Sequence, residues 1–419
     1  MKILQISNGD FFSTYGGGQV YVKNLVDEMI GQQLDIVVFS FVDGRSKDVI
    51  IKKDYKGMAL YEISGRNKIE IADLIKEIKP DLIHAHAQKV FFAEISKELS
   101  IPYVITAHHG GIVDPAGTLM TYKDEIRKEP VSHESSLPDV LNNIRCGLFF
   151  YPLLKRIPLN RRLKLGRFLD KLPFIYFITP IGQASLSIER KMQEWHILED
   201  NVDWVIAPSK AIAESMILNG MPEDKIKILP HGIPCLPNSD NIISHSMKFF
   251  YVGRIEHIKG IHVLLKAFIQ QPEDSCELHL IGTGGVYMNR LKKKYSKLSN
   301  VFFHGVIHPE EVQSAIRNYD VLVHPAICLE VFGLTIAEAL SEGKPVIATR
   351  CGGAEMQITD GVNGLLVPIN NIEALSEAML WAINHKEEVM SMSKKAPQEV
   401  VPIEKHVRKL VSIYQSFVS

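Results

Sequence analysis

The sequence predicts an α/β protein of two domains, each a parallel sheet wound on both faces by helices and facing a central cleft. Three observations carry that prediction. Apolar strand-like runs alternate with amphipathic helix-like runs along most of the chain. The alternation restarts after PCLPNSDNIISHS, a Pro-, Asn- and Ser-rich stretch near the middle. The 419 residues, 46% of them apolar, suffice for two or three cores.

In chain order, KILQIS reads as a strand, STYGGGQ as a glycine loop, VYVKNLVDEMI as a helix and DIVVFSF as a strand. Strands follow at PDLIHAHA and PYVITAH. WVIAPSKAIAESMILNG is a strand and helix, with Ser209 as N-cap and Gly220 as stop. IKILPHGI closes the first half. After the hinge come the strand KFFYVGR, a loop through His257-Ile258-Lys259-Gly260 and the helix VLLKAFIQ. CELHLIGTGG, NVFFHGV, DVLVHPA and KPVIATR are the later strands. Parallel sheets of this kind bind ligands beyond the carboxyl ends of their strands, so the cleft between the two domains is the expected site. The segment of about 112–183 breaks the alternation and reads as an insertion. Between Arg145 and Lys171 it carries eight Lys/Arg against one acid, Asp170.

Charged residues make up 23%, the net charge is −1 and the pI is near 7.0. That balance argues against a nucleic-acid-coating protein. Cys146, Cys235, Cys276, Cys328 and Cys351 are scattered and lack CxxC spacing, which suits reduced thiols in a cytoplasmic protein. MKILQISNGD is not expected to be a signal peptide, and Leu172–Ile188, interrupted by Pro173, Pro180 and Gly182, is not expected to span a membrane.

Four stretches carry candidate chemistry. Gly16-Gly17-Gly18, between strand and helix, would expose main-chain N–H groups to an anion; a tight turn alone would also account for the glycines. It is not a dinucleotide fingerprint, because Tyr21 stands where the third glycine belongs. Arg254 and Lys259, five residues apart after a strand, suit a diphosphate clamp, with solvated surface charge as the alternative. In LEVFGLTIAEALSEGKPVIAT, Glu330 and Glu338 flank Phe332-Gly333-Leu334 at a helix start. Thr335-x-x-Glu338 is also a capping-box pattern, which would leave Glu330 and Gly333 unexplained. His84, His86, His108 and His109 fall near strand ends, where one would donate a hydrogen bond to a ligand. Acids at metal-ligand spacing are lacking, and no Asp-x-Asp pair occurs to hold Mg²⁺ on a nucleotide, so no metal is expected.

These residues together resemble the retaining, nucleotide-sugar-dependent glycosyltransferases of family 4. The likeness spans nearly the whole chain and is weakest across residues 112–183. It implies the GT-B architecture of two Rossmann-like domains: 1–235, with the insertion, completed by the C-terminal helix of about 402–419, and 246–400, which binds the nucleotide sugar. The E-x₇-E motif from Glu330 to Glu338, followed by GGAEMQITDGVNGLLVP, is its most specific element. The resemblance implies that Glu330 binds donor-sugar hydroxyls, that Phe332, Gly333 and Leu334 offer amides, and that Glu338 holds the ribose. Arg254 and Lys259 would bind the diphosphate with Gly17 and Gly18. His108 would contact the sugar near the reacting centre, with His109 not separable from it. Implied is a hexosyltransferase-type enzyme of glycan, glycolipid or glycoconjugate biosynthesis, using a nucleotide-diphosphate sugar and no cofactor or metal.

The sequence departs from the family where Asn-Gly-Val/Ile-Asp gives way to His231-Gly232-Ile233-Pro234, and where Val331 replaces a common proline. The insertion bears on the acceptor. Leu165, Phe168, Leu169 and Leu172 form an apolar helical stripe beside Lys164, Arg167 and Lys171, a pattern that binds anionic membrane surfaces and would suit a lipid-linked acceptor. A solvated helix covering the first domain is the alternative. A nucleotide-sugar epimerase or phosphorylase, or a two-domain binding protein without chemistry, are the competing functions; no nucleic-acid partner is expected.

Overall fold

The structure is a computed structural model and describes residues 1–12, 16–42, 48–144, 146–169, 179–234 and 243–418. Cys235, Arg145, Asp170, Lys171, Leu172 and most of the hinge lie outside the described residues. By contacts the chain divides into two compact units. One comprises Met1–Asn8, Leu34–Ile228 and Val418; the other comprises Gly9–Gln33 and Leu229–Phe417.

The first unit holds eight strands: β1 (Lys2–Asn8), β2 (Asp35–Phe41), β3 (Val49–Tyr55), β4 (Met58–Ser64), β5 (Leu82–Ala85), β6 (Tyr103–Thr106), β7 (Trp204–Ala207) and β8 (Ile226–Ile228). Their order is β3-β4-β2-β1-β5-β6-β7-β8. All pairings are parallel except β3 with β4. That antiparallel edge departs from the all-parallel reading. It arises from a tight turn at Lys56-Gly57, both with positive φ, which returns the chain after only two residues. The order reverses between β1 and β5, beyond whose carboxyl ends a doubly wound sheet presents its ligand groups.

The insertion is helical, with helices His133–Asn142, Gly147–Arg156, Leu159–Leu169 and Thr179–Asn201. Leu137, Leu141, Leu154, Ile181 and Ile188 form a small core of their own. Beneath it, Arg127 pairs with Asp139, both buried, and Tyr122 N–H donates to the same carboxylate at 2.6 Å. Burial, opposed by Arg127, pushes Asp139 up to about 6.

The second unit holds six strands: β9 (Met247–Val252), β10 (Cys276–Ile281), β11 (Val301–Gly305), β12 (Val321–His324), β13 (Val346–Thr349) and β14 (Gly364–Val367). The sheet is parallel throughout, ordered β11-β10-β9-β12-β13-β14, and reverses between β9 and β12. Phe249, Tyr251, Leu264, Phe268, Leu278, Leu280, Val323 and Met379 anchor its core. The helices Gly17–Gly31 and Ile403–Val418 group with this unit. Within it, Tyr21 Oη and His406 Nε2 lie 2.7 Å apart, and His406 Nδ1 bonds the Pro230 carbonyl at 2.8 Å. Ile233 exchanges backbone hydrogen bonds with Val401 and Ile403, at 3.1 and 2.9 Å.

Candidate active site

The side chains of the second unit that matter stand at the carboxyl ends of β9, β12 and β13, around the reversal point. Lys259 arrives from β9 by a loop whose geometry depends on Gly260. That residue has φ +70°, and a Cβ on it would lie 1.8 Å from the Pro325 carbonyl oxygen. This approach seats the Lys259 loop against the end of β12, and Ile327 N–H bonds the Ile258 carbonyl at 3.0 Å. Lys259 Nζ thereby reaches Glu330 Oε2 at 2.5 Å. His324, the last residue of β12, places Nε2 3.3 Å from the same oxygen.

Glu330 is fixed by its backbone as well. Its N–H bonds the Cys351 carbonyl, and its own carbonyl accepts from Gly353 N–H, each at 2.7 Å, which staples the segment to the end of β13. Burial would raise the Glu330 carboxyl, but the Lys259 ammonium and His324 outweigh it and hold the acid well below the usual carboxylate range. Lys259 is disfavoured by burial too, and the attraction of Glu330 more than compensates, holding the ammonium above its ordinary value. Both side-chain contacts of the carboxylate fall on Oε2, so Oε1 has no side-chain partner among the described residues.

Gly333 is the N-cap of the helix Leu334–Ser341, at φ +83°, ψ +68°. A side chain there would be strained by about 1–2 kcal/mol and would meet Ile336 Cδ1 at 3.0 Å. The capping-box reading of Thr335 and Glu338 is therefore corrected. The helix begins at Leu334, capped by a left-handed glycine with no side-chain cap bond, which puts Thr335 inside the first turn. Among the described residues no acceptor takes the N–H of Leu334 or Thr335, so the helix presents two amides and the positive end of its dipole. Gln357 locks the turn by donating to the Phe332 carbonyl and, at 3.4 Å, to that of Gly333.

Glu338 sits on that first turn and a half. It retains some exposure, yet its carboxyl is enclosed by protein and makes no ion pair or hydrogen bond among the described residues. Burial pushes it up to about 8. Thus the two glutamates differ in charge at neutral pH: Glu330 is ionised and Glu338 is mostly protonated.

The glycine loop meets this helix. Gly17, first residue of the helix Gly17–Gly31, would place a Cβ 3.4 Å from Leu334 Cδ1. Gly18 follows on the same first turn, and Gly16 N–H donates to Gln19 Oε1 at 3.3 Å. Two helix N-termini therefore lie side by side within the unit. Phe332 is buried with Ile233 and Ala337, its ring 5.1 Å from that of His231, which stacks on Tyr21 at 3.8 Å. The family departure at His231 is accommodated by this stack.

Arg254 is placed differently from Lys259. Its guanidinium is 66% exposed and pairs with Glu256 at 3.1 Å, while its carbonyl accepts from Tyr251 Oη at 2.7 Å. No hydrogen bond or ion pair joins it to Lys259 or Glu330 among the described residues. The structure thus brings together Lys259, Glu330, Phe332, Gly333, Leu334, Glu338 and Gly17, with Arg254 on the adjoining loop. His324, Gln357 and Tyr251 escaped the sequence reading. A lone histidine ending an apolar strand looks like core, and Gln357 lies in a loop without a pattern.

In the first unit, His108 follows β6 and His86 follows β5. His86 Nδ1 lies 2.9 Å from His108 Nε2, and His86 Nε2 lies 2.9 Å from Gln5 Oε1. With Gln5 accepting from Nε2–H, a neutral His86 offers Nδ1 to the His108 Nε2–H, which orients the second ring. His84 is buried against Thr106 Oγ1 at 2.8 Å, while His109 is exposed. Among the described residues no three His, Cys, Asp or Glu side chains converge on a possible ion site.

Comparison with known proteins connects these features to a family. The model described as Glycosyltransferase Family 4 matches residues 15–133, and that described as Glycosyl transferases group 1 matches residues 237–399. An uncharacterized glycosyltransferase of Methanocaldococcus jannaschii is 26% identical over 405 residues, covering 92% of this chain and 90% of that protein. The D-inositol 3-phosphate glycosyltransferase of Corynebacterium urealyticum is 32% identical over 179 residues, 40% of this chain. The match spans 42% of that relative and 50% of another from M. jannaschii, about half the length of each. Among solved structures, Anabaena HepE in complex with UDP and glucose superposes with a TM-score of 0.67 at 17% identity, covering 99% of this chain and 100% of that one. Sucrose-phosphate synthase of Thermosynechococcus elongatus gives 0.68 at 18% identity, with 100% and 99% covered. The chain belongs to the glycosyltransferases of GT-B fold, with a family 4 domain toward its N-terminus and a group 1 domain toward its C-terminus.

Proposed function

We propose that this protein transfers a sugar, with retention and without a metal, from a nucleotide-diphosphate donor to an acceptor hydroxyl. The observation that carries the reading is the convergence of Lys259, Glu330 and His324 beside the unpaired amides of Leu334 and Thr335. A leaving nucleoside diphosphate gains negative charge in the transition state. Lys259 and the two amides supply fixed positive groups for it, in a setting where each such donor is worth roughly 3–4 kcal/mol of barrier. Arg254, exposed on its loop, adds a second cation once it exchanges Glu256 for phosphate, and Gly17 and Gly18 bring the amides of a second helix start. Glu330 Oε1 accepts from a donor-sugar hydroxyl, and Glu338 from the ribose. His108, oriented by His86, contacts the sugar near the anomeric carbon. The acceptor attacks from the face the diphosphate leaves, so no protein nucleophile is required.

The acceptor is a saccharide or a lipid-linked hydroxyl, met in the cytoplasm or at the inner face of an anionic membrane. Relatives named for UDP and glucose complexes make uridine the first base to test. A thermal-shift panel of uridine, guanosine and adenosine diphosphates reads the donor class: ligand at about 100 times its dissociation constant stabilises by about 2.7 kcal/mol. Turnover of the matching nucleotide sugar in chelator, with products read by mass spectrometry, then tests transfer. A panel in which no diphosphate stabilises the protein contradicts the reading.

A further inference from the structure

Residues 147–169 contain six lysines and arginines and no acid. The structure determines which way they face. The helix Leu159–Leu169 is held by Arg162, Gly166 and Leu169, buried at helical spacing. A Cβ on Gly166 would meet Leu186 Cβ at 3.0 Å, and one on Gly182 would meet Leu169 Cδ1 at 2.1 Å, so two glycines let this helix sit close on the helix Thr179–Asn201. Leu169 is therefore part of the seam, which corrects its place in the sequence-predicted exposed stripe. Arg161, Lys164, Leu165, Arg167 and Phe168 are left facing outward, Phe168 at 62% exposure. The preceding helix Gly147–Arg156 buries Leu154 and turns out Phe149, Leu153, Lys155 and Arg156. Phe149, at 82%, is the most exposed large apolar side chain among the described residues.

We infer that these two helices form a foot that lies on an anionic lipid bilayer, with Phe149, Leu153, Leu165 and Phe168 in the headgroup boundary and five cations over the phosphates. Charge chooses the occupant. A second copy would bring its own cations against these without an acid to meet them, whereas an anionic bilayer supplies a dense negative plane. The foot lies on the membrane and does not cross it, since no described helix is long and apolar enough to span. The inference does not depend on the donor chemistry, and a foot of this kind brings lipid-linked hydroxyls within reach of the protein.

The test is co-sedimentation with vesicles of phosphatidylcholine alone and of phosphatidylcholine with phosphatidylglycerol, at low and high salt. Binding is expected to the anionic vesicles and to weaken with salt. Replacing Arg161, Lys164 and Arg167 together by Gln should lower partitioning about a hundredfold, at about fivefold per cation. Phe149→Ser with Leu153→Ser should lower it at least roughly tenfold. Both variants should keep wild-type circular dichroism and wild-type turnover of donor with a soluble acceptor. Absence of binding at low salt overturns the inference, as do equal binding to neutral vesicles, indifference to the substitutions, or self-association that they abolish.

Discussion

Binding of a nucleotide sugar should release a proton, and Glu338 should be its source. In the free protein burial holds this carboxyl at about 8, with no hydrogen-bond donor to favour the charged form. Two ribose hydroxyls donating to it favour the carboxylate and pull the value down. At pH 7 the group is about 0.9 protonated when free, so close to one proton leaves on binding if the bound value falls below 6. With a bound value of about 5 or lower, affinity should rise about fivefold from pH 7 to 8 and about eight- to ninefold from pH 6 to 7. Isothermal titration calorimetry in buffers of different ionisation enthalpy counts the proton directly. A nucleotide sugar is the right probe, since its diphosphate does not titrate in this range. Glu338→Gln should abolish both the proton release and the pH dependence. Release of no proton by the wild type at pH 7, or an unchanged pH dependence in the variant, refutes the reasoning. Glu330 gives no such signal, because Lys259 and His324 keep it ionised across this range.

Further outcomes follow from the same residues. The raised value at Glu338 makes the folded state bind more protons than the unfolded one between about pH 4.3 and 8. Stability should therefore fall as pH rises through that window, by at most about 1.4 kcal/mol per unit, and Glu338→Gln should flatten the slope in denaturant titrations. Lys259→Met leaves Glu330 buried without its cation, so it should destabilise by about 3–5 kcal/mol and lower kcat by about a hundredfold or more. Lys259→Met/Glu330→Gln should recover most of the stability and none of the turnover. Gly333→Ala should weaken donor binding and destabilise by about 1–2 kcal/mol, read by calorimetry and KM.

Much of the fold was legible because strands buried on both faces are continuous apolar runs, as in DIVVFSF and KPVIATR. The strands that escaped were the half-exposed β3, whose Lys52, Lys53 and Asp54 dilute the pattern, its hairpin partner β4, and β14, a four-residue strand beginning at a glycine. Lys53 nevertheless pairs with the buried Glu62 of the neighbouring strand. Such a contact between strands is invisible to periodicity. At the site, Glu330, Lys259 and the glycine turn were legible from motif and position. What the sequence left open was whether Glu338 caps its helix, and φ at Gly333 answers that: a left-handed glycine already caps the helix, which frees the carboxyl for another partner. His324 and Gln357 act through distances of 3.3 and 3.4 Å across loops, and no spacing rule announces them.

The most direct measurement is a crystal structure with an intact nucleotide sugar bound. The account predicts the diphosphate oxygens within hydrogen-bond distance of the Leu334 and Thr335 amides and of Lys259 Nζ, with Glu330 on a sugar hydroxyl and Glu338 on the ribose. A donor whose diphosphate lies away from that helix start, with both carboxylates turned from the rings, would contradict it.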